Sequence, residues 1–298
     1  MSRYSNFFGD YHPVVVFIYY MSIFVLLITI THPAFLLVSL FVLLLYSLLL
    51  DGIKSLLKSL VYMIPMVLFI AVINPFFNHY GETPLFYMNN RPVTLEALLF
   101  GVFTGVLIIG LIFLFKSFSR CIDSHRFIYL FGKILPTISL MITMVMRFMP
   151  YLKRKLSAIS QTQATLGVSV NEGRIKKRLQ SGANILSILI SVSLEGTIDT
   201  ADSMKARGYQ LKGKTHYNTF VYTSRDFVLL VSTVILDIFF AIVVIRGSYA
   251  FEFYPRLTEV SFNSITILIL VVNCLFMGLP IIVNIVEEVR WKLSRRKI

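Results

Sequence analysis

Charge is scarce in this chain. Asp, Glu, Lys and Arg together make up 14% of its 298 residues, where a soluble globular domain carries about 25%. With 56% hydrophobic residues and a mean hydropathy of +0.77, that shortage excludes a soluble domain. Cysteine is scarcer still. Cys121 and Cys274 lie far apart, and no C-x-x-C pair or Cys/His cluster occurs, which excludes a disulfide framework and leaves no metal site. The five histidines, at 12, 32, 79, 125 and 216, are scattered; they read as solvated or interfacial groups rather than ligands. Acidic residues number 15 against 28 basic ones. A net charge of +13 can mark a nucleic-acid partner, but the positions of the basic residues follow membrane topology instead, so no nucleic acid is expected.

What is abundant is apolar sequence in runs long enough to cross a hydrocarbon core of about 30 Å, which takes roughly 17–25 residues. Such runs fall near 14–30, 34–50, 59–77, 95–115, 227–245 and 264–286. Each is expected to be a helix, because a lone strand would leave its backbone groups unpaired in lipid. The first run, with one preceding Arg and no small-residue cleavage pattern, reads as a retained helix rather than a signal peptide.

Orientation follows from Lys and Arg, which stay on the cytoplasmic side of short loops. Six spans with both termini inside leave 25 basic residues in the cytoplasm and 3 outside. Residues 116–225 alone carry 17. A seventh apolar run, 127–150, interrupts this pattern. If it crossed, the basic block Lys153–Lys177 would be translocated. Lys133 and Pro136 break the run, and a charge near the bilayer centre costs about 2.5–3.5 kcal/mol. The run is therefore expected to lie along or dip into the cytoplasmic face; an ordinary seventh span is the alternative.

The expectation is thus an all-α integral membrane protein of about six transmembrane helices, with a cytoplasmic helical block inserted between spans four and five. Residues 1–115 hold spans one to four, 116–225 the cytoplasmic or interfacial block, and 226–298 the last two spans with a basic tail. Within the block, 150–166 reads as a polar helix with Pro150 in its first turn and Gly167 as its stop. Residues 168–182 read as a basic link. From Ala183 a second helix begins apolar, turns polar and stops at Gly208, with Lys205 and Arg207 in its last turn complementing the helix dipole.

Gly208–Thr215 matches G-x-x-x-x-G-K-[ST]. A phosphate loop, however, follows a strand and opens a helix, so that N–H groups face the anion. Here Gly208 closes a helix, and the match reads as coincidence. No cofactor is expected.

The stretch Glu195-x6-Asp202-Ser-Met204-Lys-Ala206-Arg207-Gly208-Tyr209 resembles the Ala-Arg-Gly signature of the transmembrane T component of energy-coupling factor transporters, the EcfT/CbiQ-like family. Met146-Arg147-Phe148-Met149-Pro150 is similar to that family's Arg-Phe-x-Pro element at the entry to a coupling helix. Thr165-Leu166-Gly167 stands where the family carries its first Ala-Arg-Gly, and lacks the arginine. The layout of spans, block and spans resembles the family over nearly the whole chain. The resemblance implies a non-catalytic subunit in a bacterial cell membrane that binds two cytoplasmic ABC ATPases at its helix ends and a small membrane substrate-binding S component, for uptake of a vitamin or transition-metal ion. It implies ATPase-coupling roles for Ala206, Arg207 and Gly208 and for Thr165, Leu166 and Gly167, and structural roles in the coupling helices for Arg147, Pro150 and Glu195. Taken by its residues alone, Arg207 is also satisfied as a solvated cation at a helix C-terminus.

Two further features stand open. Asp237, mid-span, is either a hydrogen-bonded carboxylate or an ion relay. Gly101-x3-Gly105 permits close helix packing. A self-contained secondary transporter would show repeated halves with broken helices, and the halves here are dissimilar. A membrane enzyme would need a cluster of acids, histidines or a nucleophile. Glu195, Asp199 and Asp202 share roughly one helical face and read as salt-bridge or partner contacts.

Overall fold

The computed structural model describes residues 7–88, 91–132, 135–167, 175–209, 220–247, 251–258 and 263–295. It resolves into two compact units, one of residues 1–127 with 220–298 and one of residues 128–219.

The first unit is a helical scaffold. A short 3-10 helix, Phe7–Asp10, leads into α1 (Pro13–Thr29), α2 (Pro33–Asp51), α3 (Ile53–Phe77) and α4 (Leu95–Cys121); α8 (Ser224–Ile245) and α9 (Ser264–Arg295) complete it. Pro13 and Pro33 stand at first helical positions, where the missing N–H has no intrahelical acceptor to lose. Five of these six helices are long and apolar enough to span a membrane, while α1, at 17 residues, is a shorter apolar helix. Val61, Leu68, Phe69 and Val72 of α3 face outward, a surface suited to lipid. The chain is a multi-pass membrane protein.

Lipid supplies no hydrophobic force between helices, so packing and interhelical hydrogen bonds hold them together. Both are present. Gly101 and Gly105 bring α4 against α3 so closely that a Cβ would lie 2.9 Å from the Ala71 Cα at one position and 2.9 Å from the Val67 Cγ1 at the other. The small-residue motif is therefore an intrachain contact. Pro75 removes the helical donor for the Ala71 carbonyl, and it is against this carbonyl that Gly101 lies. A similar device joins α1 to α9. Pro280 deprives the Phe276 carbonyl of its helical partner, and the buried Tyr19 hydroxyl donates to that carbonyl at 3.1 Å. Tyr19, Phe35, Phe240 and Phe276 form the aromatic centre, with ring centroids 5.6–6.0 Å apart. Asn273, fully buried on α9, donates to Ser39 of α2 at 2.9 Å.

Ion pairs mark the two ends of the scaffold. At one end, the nearly buried Asp51 carboxylate accepts from Lys116 and from Arg120, each at 2.8 Å. The pairs Arg225–Glu287 and Arg126–Asp10 lie at the same end. At the other end, Arg256 pairs with Glu82, Thr31 donates to the Phe251 carbonyl, and His32 packs edge-on against Phe251. The connections that the charge distribution assigns to a common side thus meet one another.

The 78–94 connection contains an antiparallel hairpin, β1 (Pro84–Met88) and β2 (Arg91–Thr94). Its base is fastened by Glu96, whose carboxylate accepts from the Thr83 hydroxyl at 2.7 Å.

The second unit contains α6 (Pro136–Thr165) and α7 (Ile175–Ala206), packed on each other; the short α5 (Ser124–Gly132) runs into it. The apolar run 127–150 is not one segment but is divided between α5 and α6; Lys133 lies outside the described residues.

Two expectations are corrected here. Pro150 does not begin a helix; it lies in the middle of α6. Its missing N–H removes one bond, to the Met146 carbonyl, and the helix continues through it to Thr165. The second helix starts at Ile175 rather than Ala183. Lys, Arg, Leu and Gln are good helix formers, and they carry the first turns across what reads as a basic link. Residues 168–174 of that link lie outside the described residues. By length and composition α7 also qualifies as a span, although the sequence reading places it outside the bilayer.

Candidate coupling site at two helix ends

The ends of α6 and α7 both close on a left-handed glycine. At the end of α7, the Gly208 N–H donates to the Lys205 carbonyl at 2.9 Å and the Tyr209 N–H donates back to the Met204 carbonyl at 3.1 Å. Gly208 has φ +74°, the left-handed conformation that glycine adopts without a Cβ penalty. This pair of bonds is the Schellman closure, and it occupies carbonyls that a helix end otherwise leaves bare. Arg207 is the last residue before that glycine. Its side chain is exposed, and among the described residues it forms no ion pair. Lys205 pairs with Asp202 at 3.7 Å, both on the surface.

At the end of α6 the Gly167 N–H donates to the Ala164 carbonyl at 3.1 Å, and Gly167 has φ +78°. The Thr165 hydroxyl donates to the Thr162 carbonyl at 2.7 Å. Leu166 stands one residue before the left-handed glycine and is 70% exposed. Thr165-Leu166-Gly167 and Ala206-Arg207-Gly208 therefore both end on a left-handed glycine whose N–H turns back to a carbonyl three residues earlier. One step before, the Leu166 N–H donates to the Gln163 carbonyl and the Arg207 N–H to the Ser203 carbonyl, and the side chain presented is an isobutyl group in one and a guanidinium in the other.

The closure at Gly208 also bears on the phosphate-loop match. The Gly208 N–H is spent on a helix carbonyl, whereas a phosphate loop needs such groups free to face an anion. The remainder of the match, 210–215, lies outside the described residues.

Along both helices the apolar faces are uncovered. Leu186, Ile190, Leu194 and Ile198 recur every fourth residue on α7 and are 54–63% exposed. Ile138, Met141, Val145 and Met149 make a similar stripe on α6. In α7 only Ser181 and Ile185 are buried, and α6 buries none. Arg147 and Pro150 are exposed on α6 and Glu195 is exposed on α7. Arg147 precedes an aromatic pair, Phe148 with Tyr151 at 6.1 Å, and Lys155 sits 5.0 Å above the Tyr151 ring. Glu195, Asp199 and Asp202 do not converge. Among the described residues no three His, Cys, Asp or Glu side chains form a group able to hold a metal.

Asp237 belongs to the other unit. It accepts a hydrogen bond of 2.6 Å from the Ser22 hydroxyl, which also donates to the Ile18 carbonyl in its own helix. The two residues sit in a groove of about 550 Å³ between α1 and α8, whose only other polar lining residue is Thr29. Of the two readings of this carboxylate, the geometry contains the hydrogen bond. Sequence reasoning missed Asp226. It is 3% exposed and accepts from the His12 N–H at 2.7 Å, and from the Thr223 N–H and hydroxyl at 2.8 and 2.6 Å. The Thr-x-x-Asp spacing of a capping box was the available signal; the link to His12 had none.

Comparison with known proteins places the sequence in a family. The sequence profile of the CbiQ family, described as cobalt transport protein, matches residues 11–217. The energy-coupling factor transporter transmembrane protein EcfT of Lactococcus lactis subsp. cremoris (strain MG1363) is 34% identical over 102 residues, covering 34% of this chain and 38% of that protein. EcfT of Bacillus subtilis (strain 168) is 31% identical over 100 residues, covering 33% and 38%. EcfT of Exiguobacterium sibiricum is 32% identical over 113 residues, covering 38% and 42%. The similar stretch thus spans about two-fifths of each relative. The family profile covers more than half of the chain, and it joins the described helix ends to most of the scaffold: the chain belongs to the CbiQ family.

Proposed function

We propose that this chain is the transmembrane energy-coupling subunit of an energy-coupling factor importer. Two cytoplasmic ABC ATPases bind the ends of α6 and α7, and a separate small membrane protein captures the substrate. The observation that carries this reading is the pair of glycine-closed helix ends, each presenting one exposed side chain ahead of a left-handed glycine. Ala206, Arg207 and Gly208 form one ATPase contact and Thr165, Leu166 and Gly167 the other. Arg207 suits the role because its planar five-donor fork pairs bidentately with a carboxylate and keeps its charge. The contact at Leu166 is apolar, so the two ATPase contacts are unequal. Arg147, Pro150 and Glu195 shape the helices that bear them. ATP hydrolysis belongs to the partner chains, and helices, being stiff, carry displacement from their ends to the uncovered stripes of α6 and α7. Those stripes face the substrate-binding partner and lipid.

In this reading, residues 116–225 form the cytoplasmic or interfacial block between 1–115 and 226–298, and both termini are cytoplasmic. The 25-to-3 division of basic residues supports that orientation. It also weighs against α7 as a span, since Lys176, Lys177 and Arg178 at its start and Lys205 and Arg207 at its end put cations on both sides. The cargo is a vitamin or a transition-metal ion. The names of the relatives support the energy-coupling role, and the family description supports the metal arm.

The test is copurification of the tagged chain in mild detergent. Two ATPase chains and a small hydrophobic protein are expected, and the ligand of the latter names the cargo. A chain that purifies without ATPases and transports in liposomes by itself would be a secondary transporter, and would refute the proposal.

A further inference from the structure

The chain leaves the scaffold near residue 127 and rejoins it near residue 220. Both roots are tied to one short segment, Phe7–His12. On the departing root, Arg126 donates to the Cys121 carbonyl at the end of α4 at 3.1 Å and pairs with Asp10 at 3.7 Å. On the returning root, Asp226 accepts the His12 backbone N–H at 2.7 Å, and Tyr222 packs edge-on against the His12 ring at 5.2 Å. A single residue, Tyr11, separates the positions that hold roots a hundred residues apart in sequence.

The segment is itself fastened to the scaffold. Phe8 is fully buried, its ring lies 5.2 Å from Tyr19 and 6.2 Å from Tyr20 of α1, and its N–H donates to Asn284 of α9 at 2.9 Å. α9 also reaches the returning root, through Glu287 and Arg225 at 3.0 Å. The two ties differ in strength. Asp10 is 76% exposed, so its pair with Arg126 is of the weak surface kind. Asp226 is buried and uses both oxygens, and charge-assisted bonds of that sort are the strong ones.

We propose that Phe7–His12 is a clasp that fixes both roots of the 128–219 block to the membrane helices, and that Asp226 is a positioning residue for energy coupling. The idea rests on the coupling function proposed above. A block that transmits displacement delivers it to a partner only if its attachment does not yield. Where the roots slip, the ATPases turn over without moving the substrate-binding protein. The clasp is therefore a fixed mounting, not a moving part.

The test uses the complete complex in liposomes. Nitroxide labels at Asp123→Cys and Ser224→Cys, in a Cys274→Ser background, report the separation of the roots by pulsed electron paramagnetic resonance. A narrow distribution is expected, unchanged by a non-hydrolysable ATP analogue, and Phe8→Ala or Asp226→Asn broadens it. A separation that shifts with nucleotide in the otherwise native chain, or a distribution left narrow by both substitutions, overturns the clasp. In uptake assays Asp226→Asn retains ATP hydrolysis and loses uptake, and Asp226→Glu restores part of it; wild-type uptake per ATP in Asp226→Asn refutes the positioning role. Should Arg207→Glu leave uptake intact, the coupling function fails while the separation measurement still decides the clasp.

Discussion

Leu166 and Arg207 occupy the same place on two different helices, each one residue ahead of a glycine with φ between +74° and +78°. Both ends close on that glycine, and the side chain presented ahead of it is apolar in one and cationic in the other. Replacing Leu166 with Arg should give both ends a guanidinium while leaving the fold intact, since Leu166 is 70% exposed and the closure at Gly167 uses backbone groups alone. ATPase retention on the purified chain should rise, and Leu166→Asp should lower it. Retention by native gel or mass photometry checks both.

The glycines themselves are the second handle. Ala at Gly208 must adopt a left-handed conformation that costs an L-residue roughly 1–2 kcal/mol. Hydrogen exchange at position 208 and at Tyr209 should accelerate in Gly208→Ala, because the closing bonds to Lys205 and Met204 open more often. The helical content of the rest of α7 should stay unchanged.

Packing between α3 and α4 leaves no room at Gly105, where a Cβ would meet the Val67 side chain and backbone. Gly105→Leu therefore forces the helices apart, and overpacking of this kind costs about 1–3 kcal/mol or more. A lower Tm in detergent is expected. Gly110, with open space around its Cβ position, serves as the control: Gly110→Ala should leave Tm within error of the unaltered chain.

Asp51 holds two cations from α4. Its removal leaves Lys116, partly buried, without its carboxylate, and breaking such a pair from one side is more harmful than deleting both partners. In a double-mutant cycle, Asp51→Ala with Lys116→Met should be less destabilised than the sum of the single variants, with a coupling of roughly 1–3 kcal/mol.

Asp237 separates two readings of the intramembrane carboxylate. Asn keeps an acceptor for the Ser22 hydroxyl, so Asp237→Asn should retain uptake and its pH dependence. Loss of uptake in Asn with retention in Glu would point to a charge-dependent role.

Much of this molecule is written in local pattern. The apolar runs appear as α1 to α4, α8 and α9, Gly101 and Gly105 meet a neighbouring helix, and Gly208 closes α7 behind Lys205 and Arg207. These follow from periodicity, length and glycine's conformational freedom, which are visible within a few residues. Pro150 misled because its effect depends on whether the flanking turns pack on a partner helix, and α6 has α7 beside it. The start of α7 misled because a cluster of Lys and Arg is equally at home in a link and in a first helical turn. The 84–94 hairpin had a signal, two short strand-like runs around Asn-Asn, that the surrounding loop composition obscured. The bond between His12 and Asp226 joins residues 214 apart; no spacing rule reaches that far, and only the packed scaffold brings them together.

Uptake by the Arg207→Glu variant tests the central claim most directly. Charge reversal at an exposed helix end leaves the scaffold untouched, so membrane insertion and assembly with the substrate-binding partner should persist at equal expression while ATP-driven uptake is lost; Arg207→Lys, which keeps the charge but not the fork, should be impaired as well. Uptake at the unaltered rate in Arg207→Glu would contradict the account.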